Sequence, residues 1–362
     1  MKRNKASRAG RVILRAAGIV LLAIVVLFAG LIGYLSATEY RPDDTEKADV
    51  QGAAADTLRP GGSLEVVTWN IGYGALGDDA DFFMDGGSGV RAEDEARVRE
   101  NLDGILAEIE TLGPDLLLLQ EADLGSDRSC RVDEAAYFRA ALPGYASTFA
   151  GNFKVAFLPY PIPPLGRVDS GLLTFSAFPV REAERIQLPI PFSWPMRMAN
   201  LKRCLLVERI PLEGSDRELV LINLHLEAYD DGEGKAAQTA MLLQVLEAEA
   251  ARGSYVIAGG DFNQIFSNAD TGAFPAQEGK WQAGQIDAAS FGSGWQLMMD
   301  ASVPSCRSLD QPLAGADQSN FQFYIIDGFI VSSNVKIDEL KTESLEFVWS
   351  DHNPVQMKVT LE

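Results

Sequence analysis

The runs LVLINLH (residues 219–225) and YVIAGGDFN (residues 255–263) decide the fold of this chain. Each run opens with consecutive apolar residues, which is typical of a short strand that is buried on both faces. The segment between them, roughly residues 235–251, is predicted as a helix that ends at Gly253. A strand, a helix and a second strand in this order predict an α/β domain.

The same arrangement occurs earlier in the chain. Residues 64–69 (LEVVTW) have the β-branched and aromatic content of a strand. Between Arg91 and Leu112, apolar residues recur at a spacing of three or four, which predicts a helix that Gly113-Pro114 ends. Residues 115–119 then predict another buried strand. These elements predict one α/β domain over residues 63–362.

Polar residues follow the apolar runs directly. One run ends at His225, and the next predicted strand leads into Asp261 and Asn263. Asp and Asn are common in turns, so one such strand end proves little. Several strand ends, including both histidines of the chain, predict a single cleft where these side chains converge. The other members of this set are Asn70, Glu121, Asp327, Asp351 and His352.

Carboxylate and amide oxygens, without clustered Cys or His, suit Mg²⁺, for which Mn²⁺ is a potential substitute. Histidine is the side chain best suited to proton transfer near neutral pH. Acids, amides and two histidines in one cleft predict metal-dependent hydrolysis of a phosphate ester.

The N-terminus predicts a membrane anchor. Residues 1–15 contain six basic residues, and residues 16–37 contain no charge. A run of about 20 apolar residues is long enough for a helix to cross a bilayer. The basic flank predicts a cytoplasmic tail (1–15), a single-pass signal-anchor (16–37) and an extracellular remainder. A cleaved signal peptide is the alternative, although the apolar run exceeds the usual signal core. Residues 38–62 are predicted as a linker.

The charge and the cysteines limit the function classes. Beyond residue 37, 25 lysines and arginines face 51 acids, a formal charge of −26. This charge makes nucleic acid an unlikely partner. Cys130, Cys204 and Cys306 are too few and scattered for a disulfide scaffold or a zinc site. One bridge or three buried thiols are both compatible with the sequence.

Six ordered motifs resemble those of the endonuclease/exonuclease/phosphatase superfamily, which includes deoxyribonuclease I-like nucleases and neutral sphingomyelinases. The motifs are WNI (69–71), LQE (119–121), NLHL (223–226), GDFN (260–263), IDG (326–328) and SDHNP (350–354). The resemblance covers residues 64–360 and implies a four-layer α/β sandwich, two packed mixed sheets flanked by helices.

The resemblance also implies roles for individual residues. Glu121, Asn70 and Asp351 would hold the metal. Asp261 and Asn263 would position the attacking water and the scissile phosphate. Asp327 would orient His352, which is either the general base or a phosphate ligand, since the residue that matches Asp261 is the other candidate base. His225 would contact a phosphate oxygen or assist the leaving group. Arg203 would bind the phosphate.

Three functions remain open at this point. The favoured function is hydrolysis of a small or lipid-linked phosphodiester or phosphomonoester by a membrane-anchored monomer. The alternatives are an extracellular metal-dependent nuclease and a catalytically silent binding domain on the same fold. The Pro- and aromatic-rich stretch Phe153–Pro164 is either packed loop or a membrane contact.

Overall fold

The computed structural model describes residues 3–230 and 232–362, so the first two residues of the predicted cytoplasmic tail lie outside the described range. The helices are α1 Arg3–Ala37, α2 Glu95–Leu112, α3 Glu134–Ala141 and α4 Glu233–Ala251. The strands are β1 Thr45–Lys47, β2 Ser63–Asn70, β3 Leu116–Asp123, β4 Ala146–Leu158, β5 Gly166–Ser176, β6 Glu182–Gln187, β7 Cys204–Pro211, β8 Glu218–His225, β9 Tyr255–Asp261, β10 Gln264–Phe266, β11 Gly284–Ile286, β12 Trp295–Met298, β13 Cys306–Arg307, β14 Phe323–Tyr324, β15 Asp327–Ser332, β16 Val335–Thr342 and β17 Val355–Leu361.

Two large mixed sheets pack face to face. One has the strand order β1-β6-β7-β8-β9-β15-β12, and the other has the order β16-β17-β2-β3-β5-β4. Leu221 of the first sheet and Leu118 of the second belong to the apolar core between them. Helix α4 covers the outer face of the seven-stranded sheet, while α2 and α3 cover the outer face of the other. The predicted four-layer α/β sandwich is confirmed.

Helix α1 contains the stretch Arg8–Ala37, which is long and apolar enough to cross a membrane. Length and composition are the evidence for this, and a signal sequence has the same properties. The structure therefore supports a single-pass anchor, while the orientation of the chain and the retention of the helix stay predictions.

The segment 38–62, predicted as a linker, is attached to the domain. Strand β1 pairs with β6 at the edge of the larger sheet. Gln51 bridges to Ser147 in β4, and Leu58 is buried in the core between the sheets. A three-residue edge strand is too short to produce a hydrophobic period, so no pattern in the sequence indicates it.

Within the described residues, which include all three cysteines, no disulfide forms, and Cys204 and Cys306 are buried. The structure thus supports free thiols over a bridge, and it corrects the expected burial at Cys130, which is half-buried. Residues 153–158 of the Pro- and aromatic-rich stretch belong to β4, and the remainder forms the connection from β4 to β5.

Candidate active site

The two-residue period of the strands places the site residues on the face that lies between the two sheets. On β8, Leu219 and Leu221 face the other sheet and join the core between the sheets. Because side chains at i and i+2 lie on the same face of a strand, Asn223 and His225 continue along this face. The strand therefore passes from apolar to polar toward its C-terminal end, and its last residue is a histidine.

The other central strands repeat this passage. On each of them, the face toward the inter-sheet layer is apolar at one end of the strand and polar at the other. The matching series are Leu64, Val66, Thr68 and Asn70 on β2, Leu116, Leu118 and Gln120 on β3, Tyr255, Ile257, Gly259 and Asp261 on β9, and Val331, Phe329 and Asp327 on β15.

The strand register aligns these ends. His225 is opposite Asp261 in the parallel pair β8–β9. Asp261 is opposite Asp327 in the antiparallel pair β9–β15. Gly260, directly before Asp261, has φ of +150°, and an added Cβ would overlap the carbonyl oxygen of Leu224. A residue larger than glycine would separate β8 from β9 at this point, next to the site.

Two predicted site residues have a left-handed backbone. Glu121 has φ of 58° and Asn263 has φ of 50°. The pairing of β3 with β5 shifts register between Leu119 and Ala122, so Glu121 lies in a bulge. Positive φ in non-glycine residues costs roughly 1–3 kcal/mol and is concentrated at functional sites. Here it turns Glu121 toward the cleft although the adjacent Gln120 faces the inter-sheet layer.

His352 is held from several sides. Its Nδ1 lies 2.8 Å from Asp327 Oδ2, as predicted for an orienting acid. Trp69 Nε1 donates to the carbonyl oxygen of His352 at 2.9 Å, and a bridge to Cys306 holds the backbone. Its Nε2 therefore points into the cleft, 3.8 Å from Asp261 Oδ2 and 3.9 Å from Asp351 Oδ2.

Asn70 links the carboxylates. Its Nδ2 donates to Asp261 Oδ2 at 3.1 Å and to Glu121 Oε1 at 3.3 Å, while its Oδ1 accepts from the amide of Gly72 at 3.1 Å. This backbone bond fixes which end of the amide faces the acids. To offer its oxygen to a cation, as the family resemblance implies, the amide of Asn70 would have to turn over.

His225 and Arg203 lie together. His225 Nε2 is 3.4 Å from Asp261 Oδ2, and His225 Nδ1 is 4.0 Å from Glu121 Oε1. Buried Arg203 donates to the carbonyl oxygen of His225 at 3.1 Å and lies 3.4 Å from Glu227 Oε2. Arg203 lines the cavity as a phosphate ligand would, but these contacts also stabilise the β8 end.

The electrostatics separate the two histidines. Burial and the nearby Arg203 lower the pKa of His225 well below its ordinary value. Burial also lowers the pKa of His352, but Asp327 and its acidic neighbours outweigh burial and raise that pKa well above its ordinary value. At neutral pH, His225 is therefore neutral and His352 is charged.

Burial also raises the pKa of the acids in the cleft. It raises the pKa of Asp351 to about 6, with repulsion from Glu121 adding to the increase against His352 and Arg307. The pKa of Asp261 is raised by burial and by Asp327. Buried acids that repel one another form a site that a cation would stabilise.

Two sets of three side chains converge within 4.8 Å: Asp261, Asp327 and His352, and Cys306, Asp351 and His352. Because the charged His352 has no free ring nitrogen to offer, the carboxylates of these sets are the candidate ligands of a cation. Of the predicted acidic ligands, Asp351 belongs to one of these sets. Glu121, whose side chain is 25% exposed, lies nearer the opening. Asp327 Oδ1 also has no hydrogen-bond partner in the described part of the chain. Hard oxygen donors around an unbalanced negative charge fit Mg²⁺.

Beneath the acids lies a polar layer that sequence reasoning missed. Gln120 Nε2 donates to Asn223 Oδ1 at 2.8 Å and to Thr68 Oγ1 at 3.1 Å. Asn223 Nδ2 donates to the carbonyl oxygen of Leu119 at 3.1 Å and to Thr174 Oγ1 at 3.2 Å. These fully buried bonds join the two sheets. The sequence feature that indicates this layer is Asn223, an amide two positions before His225 and therefore on the same face of β8.

The cavity above the site has a volume of about 150 Å³. All eight predicted residues except Asp327 line it, as does Arg203. Its other walls are largely apolar and aromatic, and they include Phe82, Met84, Phe153, Leu201, Tyr229, Trp281 and Tyr324. Buried Arg128 also lines it, but its guanidinium is paired with Asp123 at 2.9 Å.

The fold is a four-layer α/β sandwich with a cluster of acids and histidines at one end of the layer between its two sheets. The chain matches the model of the Endonuclease/Exonuclease/phosphatase family over residues 67–324, and it belongs to this family. Family members are generally phosphoester hydrolases. Among curated proteins, none matches this chain.

Solved structures share the fold. An endonuclease/exonuclease/phosphatase from Beutenbergia cavernae is 19% identical, with a TM-score of 0.54 over 83% of this chain and 72% of that one. TDP2 from D. rerio, complexed with single-strand DNA product, is 16% identical, with a TM-score of 0.52 over 82% and 99%. The human Nocturnin catalytic domain with bound sulfate is 19% identical, with a TM-score of 0.50 over 87% and 98%.

Proposed function

We propose that this protein is a membrane-anchored, Mg²⁺-dependent hydrolase of a small or lipid-headgroup phosphate ester, with its catalytic domain outside the membrane. The observation that supports this most is the convergence of Asp261, His225 and the His352–Asp327 pair on one cavity. Surface carboxylates and histidines have no reason to meet in this way.

Glu121 and Asp351 would hold the metal, and Asn70 would join them once its amide turns over and offers Oδ1 to the ion instead of to Gly72. When bound, the ion would offset the charge of the phosphoryl oxygens. The ion would also offset the repulsion between the buried acids. The raised pKa of Asp351, to which the repulsion from Glu121 contributes, is consistent with a site that lacks this positive charge.

Asp261 is the proposed general base. Its Oδ2 is within 3.8 Å of donors from Asn70, His225 and His352, so it lies at the centre of the cluster. Its raised pKa brings it closer to neutral pH, where a base is most effective. Asn263 donates from its backbone amide to Asp261 Oδ1 at 2.8 Å, which fixes the carboxylate.

The two histidines would hold the phosphate. His352 is charged, because Asp327 is bound to its Nδ1, and it presents Nε2–H to a phosphate oxygen. His225 is neutral and would donate one hydrogen bond to a phosphate oxygen or to the leaving group. Arg203 would add positive charge at the same wall.

A substrate panel tests the proposal. The full chain in detergent micelles is incubated with bis-p-nitrophenyl phosphate, a phosphomonoester, sphingomyelin, phosphatidylinositol species and DNA. We expect hydrolysis of at least one phosphate ester that EDTA abolishes and Mg²⁺ or Mn²⁺ restores. Activity that survives EDTA would refute the metal dependence. Calorimetric Mg²⁺ binding without turnover of any ester would instead support a silent binding domain.

A nuclease is the second candidate, because the related D. rerio TDP2 structure contains a single-strand DNA product. The formal charge of −26 beyond residue 37 opposes it, since each DNA phosphate would be repelled. Mg²⁺-dependent plasmid nicking that is lost in Asp261→Asn would favour this candidate over the small or lipid-linked esters.

A further inference from the structure

The surface beside the C-terminal end of α1 exposes large apolar side chains. We call this set the apolar rim. Its members and their exposed fractions are Met84 (52%), Phe157 (39%), Tyr160 (67%), Ile162 (94%), Trp194 (55%) and Met196 (63%). Single exposed apolar residues are common on soluble proteins, but several in one region mark a contact surface.

Helix α1 packs against this region. Leu35 is buried in a cluster with Phe153 and Met198, and Leu31 and Ile32 pack on the same cluster. Trp194 Nε1 donates to Ser36 Oγ at 3.3 Å, and Ser36 Oγ donates to Met198 Sδ at 2.9 Å. The apolar rim and the candidate anchor are therefore parts of one continuous surface.

The length of α1 places this surface at the bilayer. The uncharged residues 16–37 extend about 33 Å as a helix, and the hydrocarbon core is about 30 Å thick. The helix has no long exposed stalk between the membrane and the domain. Leu31, Ile32 and Leu35 lie within about 9 Å of the end of this run, so a domain that packs on them reaches the bilayer surface when α1 crosses the membrane.

The catalytic cavity opens beside the same surface. Phe153 and Leu201 line the cavity and also belong to the cluster that packs on α1. Met84 both lines the cavity and belongs to the apolar rim. Next to it, the ring of Phe83 lies 5.7 Å from that of Tyr160. The anchor, the apolar rim and the cavity share one wall.

We propose that the apolar rim lies in the headgroup region of the bilayer that α1 crosses, so that the cavity faces this layer and takes its phosphate ester from a membrane lipid. The membrane contact rests on the anchor in the proposed function, and the choice of substrate rests also on its hydrolase activity. Aromatic and aliphatic side chains at this depth gain free energy by leaving water, and tryptophan and tyrosine are favoured there.

The contact is tested without enzyme activity. The full chain is placed in phosphatidylcholine nanodiscs that contain chain-brominated lipid, and tryptophan quenching is measured. We expect Trp194→Phe to remove a large part of the quenched fluorescence, while Trp295→Phe, a change in β12 of the larger sheet, leaves that part in place. Equal quenching in wild type and Trp194→Phe would refute the contact. Cross-linked dimers in the discs, with Trp194 unquenched, would assign the apolar rim to a second copy of the chain.

The substrate is tested by comparing two rates. In the same discs, we expect Ile162→Ser combined with Met196→Ser to lower phospholipid hydrolysis about tenfold. Hydrolysis of bis-p-nitrophenyl phosphate should stay unchanged, since neither residue lines the cavity. Val50→Ser, another exposed apolar site near the start of β4, is the matched control.

A change in both rates, or in neither, would refute the lipid substrate. If wild type hydrolyses the soluble ester and no lipid, the proposed function stands and this inference is wrong. If wild type hydrolyses no ester at all, the proposed function fails, and the quenching result decides the membrane contact independently.

Discussion

The two ends of the inter-sheet layer are built by the same strands but from opposite kinds of side chain. At one end, Leu64, Leu219 and Val331 pack in an apolar core. At the other, the same strands present Asn70, His225 and Asp327 to the cleft. The apolar end stabilises the fold, and its rigidity holds the polar end in place at a cost in stability. Substitutions at the two ends should therefore separate stability from activity.

The largest expected effect is at the polar end. Asp261→Asn should lower turnover about 10²- to 10⁴-fold, because it removes the proposed base. Stability should hold or increase, since burial disfavours the ionised form of Asp261. Turnover and thermal unfolding of the full chain check this. His352→Ala should lower turnover about a hundredfold or more, because it removes a charged donor to the phosphate. If Asp261→Asn lost both its activity and the circular dichroism spectrum of the folded protein, stability and activity would not be separable at this end.

Leu219→Ala tests the apolar end. It should lower the free energy of unfolding by about 2–5 kcal/mol, because it opens a cavity between the sheets. Turnover per folded molecule should change little. Denaturant unfolding measures the loss, and Ile162→Ala, at a 94% exposed residue, is the control, with a change within about 0.5 kcal/mol. Unchanged stability in Leu219→Ala would show that this end is not the stabilising one.

Glu208 is an acid within the inter-sheet layer, where it accepts a hydrogen bond from Thr148. Burial raises its pKa from 4.5 to about 7. The folded protein therefore keeps this proton longer than the unfolded chain, and its contribution to stability is lost as the pH rises from about 4.5 through about 7. The loss is about 3 kcal/mol at most.

Glu208→Gln should remove this pH dependence. The variant should exceed wild type in unfolding free energy at pH 8 by more than it does at pH 5. Denaturant unfolding of both proteins at the two pH values measures this difference in unfolding free energy. Asp261 and Asp351 titrate in both proteins, so their contribution cancels when wild type is subtracted from the variant. A difference that is equal at both pH values would show that Glu208 is ionised throughout.

A mixed effect, on stability and more weakly on turnover, is expected where the two ends meet. Asn223→Ala removes the acceptor of Gln120 and the donor to Leu119, and each unpartnered buried group costs about 1–3 kcal/mol. Because Asn223 supports His225 from below, turnover should fall less than in Asp261→Asn. Paired unfolding and rate measurements test this order. A rate loss as large as that of Asp261→Asn would make Asn223 part of the reaction itself.

Much of this arrangement was predictable from the sequence. Strands β8 and β9 and the helix between them follow from apolar runs and a stop at Gly253, and His225 and Asp261 directly follow those runs. The bulge at Glu121 was not predictable, since local sequence does not reveal a left-handed residue inside a strand. Strand β1 was missed because its three residues are charged or polar and depend on pairing with β6.

The partners of the site residues also needed the fold. Asp327 and His352 are 25 positions apart, and their 2.8 Å contact depends on how the last strands fold back. The arginines illustrate the same limit: Arg203 and Arg128 are plausible phosphate ligands by type, yet their nearest partners are a backbone carbonyl and Asp123. Charge type was visible in the sequence, but pairing was not.

The alternation along β8 and β9 has a consequence for how such a chain can change over time. Inserting or deleting one residue in the middle of β9 would rotate Asp261 to the opposite face, toward α4, and would send apolar side chains into the cleft. A point substitution changes one side chain and leaves the others on their own faces. A change in length by one residue in β2, β3, β8, β9 or β15 would instead move both the site residues and the core residues to the wrong face. Viable length variation is thus confined to the loops around the cavity, where new substrates can be acquired without rebuilding the reactive centre.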